Sequence, residues 1–187
     1  MRIVGGYLRG KKIFDSIDKS TRPLKDIVRE SIFNVLEHSK NESVDLKEAK
    51  VLDLFSGTGS FGIECLSRGA KKVVFFENYQ KSIEILIKNI EKLNLSLKSK
   101  VINKNAYNLK NSLTNYNNFD LIFIDPPFKD MGLSNLILEI KKLKIFNKKT
   151  IIVIHRNKKI KEILSNDLLI LKEKNYGLSK IIFCKIN

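Results

Sequence analysis

The sequence predicts a doubly wound α/β sheet, and three of its features carry that prediction. From residue 50 onward, short apolar runs alternate with stretches of helical periodicity, the pattern of a parallel sheet with crossover helices. The runs are continuously apolar, as expected for strands covered on both faces. The first of them, VLDLF at 51–55, leads into the glycine turn G-T-G-S-F-G at 57–62, where a strand gives way to a helix close to a ligand.

Ahead of the sheet, MRIVGGYLRGKKIF (1–14) has short apolar runs broken by Gly5, Gly6 and Gly10, and reads as a small β-hairpin with Arg9, Lys11 and Lys12 at its tips. In STRPLKDIVRESIFNVLEH (20–38), Ser20 or Thr21 can cap a helix and Pro23 suits its first turn. Ile27, Ile32, Val35 and Leu36 recur there at helical spacing, with Val28 and Phe33 beside them. The polar stretch SKNESVDLKEAK (39–50) reads as a linker. Residues 1–40 are therefore expected to form an extension and 41–187 the main domain.

Five runs predict parallel strands: 50–55, 72–77, 100–103, 119–125 and 150–155. Helical patterns fall between them, from Gly59 to near Gly69, then at 79–93, 106–114 and 131–144, with a short one near 157–165. LLILKEKNYGLSKIIFCKI (168–186) reads as two more strands around a turn at Asn175-Tyr176-Gly177. That hairpin places an antiparallel pair at the sheet edge and brings the strands to seven.

At 187 residues and 43% hydrophobic, the chain can fill one packed domain. No apolar run approaches the roughly 18–20 residues that span a bilayer. The first residues lack an apolar core of the signal-peptide kind, so a cytoplasmic location is expected. Cys65 and Cys184 sit in apolar stretches without metal-like spacing, which predicts reduced core residues and no metal. Nothing asks for a partner chain, so a monomer is expected. The net charge is +15, distributed as +3 over 1–50, +2 over 51–140 and +10 over 141–187. Such an excess suits an anionic partner such as nucleic acid. It equally suits codon drift, given 29 Lys against 6 Arg and 18 Asn.

The glycine turn alone fits either NAD or S-adenosylmethionine, and Glu77, 18 residues after Gly59 at the end of the next strand, can hold a ribose diol in both cases. Asp53 separates them. A carboxylate just before the turn repels a pyrophosphate in a poorly screened cleft and attracts an ammonium and a sulfonium. The fourth strand then ends in Asp125-Pro126-Pro127-Phe128. Two prolines cannot continue an interior ladder, so the chain leaves the sheet there in a stiff, extended form. Carboxyl ends of strands border the crevice in open α/β sheets. A carboxylate, a donor-free backbone and an aromatic ring thus join the glycine turn at one mouth.

With these residues the sequence resembles class I S-adenosylmethionine-dependent N-methyltransferases with a [DNS]-P-P-[FYW] motif, and more narrowly the bacterial 16S ribosomal RNA guanine-N2 methyltransferases. The resemblance covers nearly the whole chain: MRIVGGYLRGKKI, TRPLKDIVRESIFN (21–34), VLDLFSGTGSFGIECLSRGA (51–70), FDLIFIDPPF (119–128) and Tyr176-Gly177. It implies a Rossmann-like class I methyltransferase fold and transfer of a methyl group to the N2 amine of a guanine in small-subunit ribosomal RNA. Asp53, Phe55, Gly57 and Gly59 would line the methionine end of S-adenosylmethionine, Glu77 would hold the ribose, and Asn105-Ala106 would stand at the adenine. Asp125 and the Pro126 carbonyl would accept the amine hydrogens, Pro127 would stiffen the loop, and Phe128 would stack on the base. Departures from the family pattern are Ile154 before His155, where an acid is common, and Leu178-Ser179 after Gly177.

The target base would have to be single-stranded or flipped. RNA binding falls in this reading to the N-terminal segment, through Arg9, Arg22, Pro23 and Arg29, with the Lys-rich C-terminal third assisting. The alternatives are adenine N6 as acceptor, an NAD-dependent oxidoreductase, and a non-catalytic RNA-binding protein on the same scaffold.

Overall fold

The computed structural model describes residues 1–15, 24–114, 116–160 and 164–187. Seven strands form one sheet: β1 (Lys50–Leu54), β2 (Lys72–Glu77), β3 (Ser99–Asn103), β4 (Phe119–Ile124), β5 (Phe146–Asn157), β6 (Leu168–Tyr176) and β7 (Ser179–Ile186). Their order is β3-β2-β1-β4-β5-β7-β6. The first five are parallel, and β7 pairs antiparallel with both β5 and β6, so the predicted hairpin lies at the edge. The helices are α1 (Asp26–His38), α2 (Ser60–Ser67), α3 (Gln80–Lys92) and α4 (Leu133–Leu143).

Strand order reverses between β1 and β4, and their carboxyl ends open side by side at that switch point. Odd-numbered strand residues face one side of the sheet and even-numbered ones the other, because side chains alternate along a strand. Val51, Val73, Phe75, Leu121, Phe123, Ile151, Val153, Ile181 and Phe183 share one core with α1, α2 and the N-terminal segment. Leu52, Val74, Ile122, Ile124, Ile152, Ile154 and Ile182 share the other with α4. Phe33, Phe61 and Phe123 stack in series in the first core, with centroids 5.1 and 3.9 Å apart.

Several expectations are corrected. The N-terminal hairpin reduces to a single antiparallel bridge between Arg2 and Lys12 closing a run of turns. Helix α1 starts at Asp26 with Lys25 at its N-cap and no side-chain cap; Ser20, Thr21, Arg22 and Pro23 lie outside the described residues. Ile27 is exposed, because Val28, Ile32, Phe33, Val35 and Leu36 already form the stripe that meets the sheet. The presumed linker is packed: Val44, Leu46 and Ala49 are buried in the first core. Residues 106–114 form turns rather than a helix. Asn105 Oδ1 accepts the Tyr107 N–H there, and asparagine side chains compete with the helical ladder. The described part of 157–165 is turn and coil beyond the end of β5, without a helix.

The N-terminal segment is held by later parts of the chain. Val4 N–H donates to Glu64 Oε2 (2.9 Å), Tyr7 N–H to the Ser67 carbonyl (2.9 Å), and Leu8 N–H to Ser67 Oγ (3.0 Å). Phe14 N–H donates to Asn89 Oδ1 on α3 (2.7 Å), and Asn89 Nδ2 returns a bond to the Phe14 carbonyl (3.0 Å).

Candidate active site

A cleft of about 990 Å³ opens at the switch point, lined by the β1 and β4 ends, the glycine turn and the end of β5. Asp53, Phe55, Gly57, Glu77, Asp125, Pro126, Pro127 and Phe128 all line it, so most of the residues singled out from the sequence meet in one place.

The glycine turn is shaped by its backbone. Phe55, Gly57 and Gly59 have positive φ of 60°, 54° and 84°, a region that favours glycine and strains Phe55. Gly59 stands behind the turn: a Cβ there would lie 2.3 Å from Leu86 Cδ1. Asn89 Nδ2 donates to the Thr58 carbonyl (3.1 Å), so the same side chain steadies this turn and the N-terminal segment.

Asp53 is 1% exposed. Its Oδ2 accepts the Gly62 N–H at 2.9 Å, capping α2 from outside, while Oδ1 is buried without a hydrogen-bond partner among the described residues. Burial pushes its pKa well above the ordinary carboxylate range, the Gly62 bond opposes that, and the charges of Asp125 and Glu77 add to it. A capped but unneutralised carboxylate facing a cleft is suited to a cation. Glu77 is aimed by backbone: Oε2 accepts the Gly57 N–H (2.7 Å) and Oε1 those of Asn78 and Tyr79 (both 2.9 Å). Its oxygens retain lone pairs for hydroxyl donors.

Beyond β4, the Asp125 N–H reaches the Leu54 carbonyl at 3.3 Å. Asp125 Oδ1 lies 2.8 Å from His155 Nδ1, and His155 Nε2 lies 2.9 Å from Ser179 Oγ. The Phe128 and His155 rings meet edge to face with centroids 5.9 Å apart. Arg156 donates to the Pro127 carbonyl at 3.3 Å and also to that of Asp130. Sequence reasoning passed over His155, Arg156 and Ser179 as site residues. The signal was present: a His-Arg pair ends the apolar run TIIVIHRN at a strand's carboxyl end.

Other expected residues lie elsewhere. Asn105 and Ala106 are not in the cleft lining; the Asn105 oxygen closes a local turn and Ala106 is core. Arg9 is exposed on the N-terminal turns, away from the cleft lining. Arg29, expected on a binding face, is fully buried. It donates to Asp26 Oδ1 (2.9 Å) and lies 3.6 Å from Glu64 Oε2, while Arg68 Nε donates to Glu64 Oε1 (2.9 Å). The Arg29 guanidinium therefore braces α1 against α2. No cluster of metal-ligating side chains occurs among the described residues, nor any helix long and apolar enough to cross a membrane.

Residues 1–185 match the protein family described as "Conserved hypothetical protein 95". The chain belongs to that family. Its relatives include "Ribosomal RNA small subunit methyltransferase D" of Haemophilus influenzae, 37% identical over 68% of this chain and 64% of that protein. The protein of the same name from Buchnera aphidicola is 31% identical over 92% of this chain and 86% of its own length. An Escherichia coli structure described as "Putative methyltransferase yhhF" superposes with a TM-score of 0.82 at 25% identity, covering 100% of this chain and 97% of that one. The expected Rossmann-like class I methyltransferase architecture is the one observed.

Proposed function

We propose that this protein transfers a methyl group from S-adenosylmethionine to the exocyclic N2 amine of a guanine in small-subunit ribosomal RNA. The observation that carries the proposal is the junction of two features in one cleft. An unneutralised Asp53 carboxylate borders a glycine turn there, beside the Asp125-Pro126-Pro127-Phe128 mouth. The names of the ribosomal RNA methyltransferase relatives support small-subunit ribosomal RNA as the substrate.

The residues fit the cofactor. Asp53 Oδ1, orphaned and flanked by two further carboxylates, suits the positive charge of its amino-acid end. Phe55 and Gly57 shape the floor, and Glu77 suits the ribose hydroxyls. When bound, S-adenosylmethionine supplies an electrophilic methyl group. The chain's own contribution is positioning. An exocyclic guanine amine is a poor nucleophile because its lone pair is delocalised into the ring. Asp125 and the Pro126 carbonyl offer two acceptors for its hydrogens, turning the lone pair out of the ring plane. Pro126 and Pro127 hold those acceptors stiffly, and Phe128 offers a face for the base. Orientation of this kind can supply several kcal/mol of barrier reduction, up to about 7–11. The RNA is held in this reading by the extension at 1–40, whose Arg9, Lys11 and Lys12 are exposed and which also carries Arg22 and Pro23.

The test is methylation of 16S ribosomal RNA, free or in small subunits, taken from cells lacking the modification. Nucleosides are then read by mass spectrometry. N2-methylguanine at one position is the expected product. N6-methyladenine, or no product, overturns the proposal.

A further inference from the structure

The odd-numbered column that packs the first core gives way, at the edge of the sheet where the parallel strands end, to a row of polar groups: Asp53, Glu77, Asp125, His155 and Ser179. Three of these are joined, Asp125 to His155 and His155 to Ser179. We propose that His155, with its tautomer set by Asp125 and its ring steadied by Ser179, is the positioning residue that aims both Asp125 and Phe128 at the acceptor amine; this rests on the methyl-transfer reading above.

The direction of each bond follows from chemistry. An ionised carboxylate only accepts, so the proton between Asp125 Oδ1 and His155 Nδ1 sits on the histidine. In a neutral ring Nε2 is then an acceptor, and it takes the Ser179 O–H. With Oδ1 tied down at 2.8 Å, the plane of the Asp125 carboxylate is set, and with it the direction of Oδ2. The same imidazole meets the Phe128 ring edge to face, so one side chain orients the amine acceptor and the stacking ring together. His155 can do this because it is itself immobile. It is 6% exposed and sits within a β5–β7 ladder that pairs His155 with Ile181 and Asn157 with Ser179. On the opposite side of β5, Arg156 grips the backbone of the same loop at the Pro127 carbonyl. The motif is thus held by its backbone through one residue and by its side chains through the next. The antiparallel hairpin at 168–186 gains a role in the site by supplying Ser179.

The experiment compares His155→Ala, His155→Asn, His155→Gln and Ser179→Ala in the ribosomal RNA methylation assay, with kcat and KM measured for cofactor and RNA. Thermal unfolding checks that each variant is folded. An asparagine amide nitrogen reaches the place of Nδ1, whereas a glutamine amide reaches that of Nε2. His155→Ala is expected to lower kcat about 100-fold with cofactor KM unchanged, the scale of a misplaced reacting group. His155→Asn should recover most of the loss and His155→Gln little of it, and Ser179→Ala should cost a smaller factor, about 3–10-fold. Nitrogen-15 NMR gives a second readout, since His38 is the only other histidine in the chain; the His155 ring should carry its proton on Nδ1. A folded His155→Ala variant within twofold of wild-type kcat overturns the proposal, as do equal losses in the alanine and asparagine variants, or a proton on Nε2. An inactive wild-type chain overturns the underlying methyl-transfer reading instead, which is separable because no variant is then compared.

Discussion

Glu64 and Asp53 are both buried carboxylates on the same side of the sheet, 0% and 1% exposed, and their surroundings are opposite. Glu64 is shared between Arg29 and Arg68 and also accepts the Val4 N–H. Among the described residues Asp53 has one backbone donor and no cation, and its pKa is raised by burial and then by two further carboxylates. Charge burial is costly unless paired. Glu64 has its partners within the fold, while Asp53 faces a cleft from which a partner can arrive. The first arrangement makes a protein; the second keeps a site ready.

The strongest way to break this contrast is Glu64→Ala. It leaves Arg29 and Arg68 facing each other without their shared anion, and should cost about 3–5 kcal/mol in urea unfolding. A loss below about 1 kcal/mol would remove the distinction between the two carboxylates.

Asp53→Asn should do the reverse. Asparagine can still accept the Gly62 N–H, so folding should be spared, while S-adenosylhomocysteine affinity measured by calorimetry should fall about 30–100-fold, or ~2–3 kcal/mol. The pH dependence has a definite sign. The folded-state pKa of Asp53 is raised above its unfolded value near 4. Its contribution to stability is therefore fully present below that value and is lost as pH rises through the folded pKa. Unfolding of the ligand-free wild type and of Asp53→Asn, compared at pH 5 and pH 8, should show the variant gaining relative stability at the higher pH.

Gly59→Ala sharpens the contrast from the backbone side. Its φ of 84° and the 2.3 Å approach of Leu86 Cδ1 should cost about 1–2 kcal/mol by chemical denaturation, with cofactor affinity reduced alongside. The smallest effect is expected from Lys71→Met, which removes the exposed Lys71–Glu48 pair at 3.3 Å. Surface pairs contribute little, so its unfolding midpoint should not move measurably.

The sheet was legible because burial on both faces writes continuous apolar runs, and the cleft because Glu77 and Asp125 each end such a run and Asp53 interrupts another just before the glycine turn. What escaped depends on partners distant in sequence. Arg29 looks like an exposed helix charge until Glu64 of α2 is placed beside it. Val44 and Leu46 look like linker residues until the first core closes over them. His155 looks like a polar ending to a core strand. Its meaning comes from Asp125 just past the neighbouring strand and from Ser179 on the adjoining antiparallel one. The helix expected at 106–114 failed for a local reason, asparagine competition for backbone donors.

Beyond the ties of Arg2 to Asp26 and Arg29, many of the bonds that fasten the first fifteen residues run to groups some sixty to seventy-five positions later: Val4 to Glu64, Tyr7 and Leu8 to Ser67, Phe14 to Asn89. A chain is synthesised from its N-terminus. This segment therefore leaves the ribosome before α2 and α3 and is fully anchored only once they have followed it out. Its docking and the glycine turn then share one fastening, because the Asn89 side chain that holds Phe14 also donates to the Thr58 carbonyl.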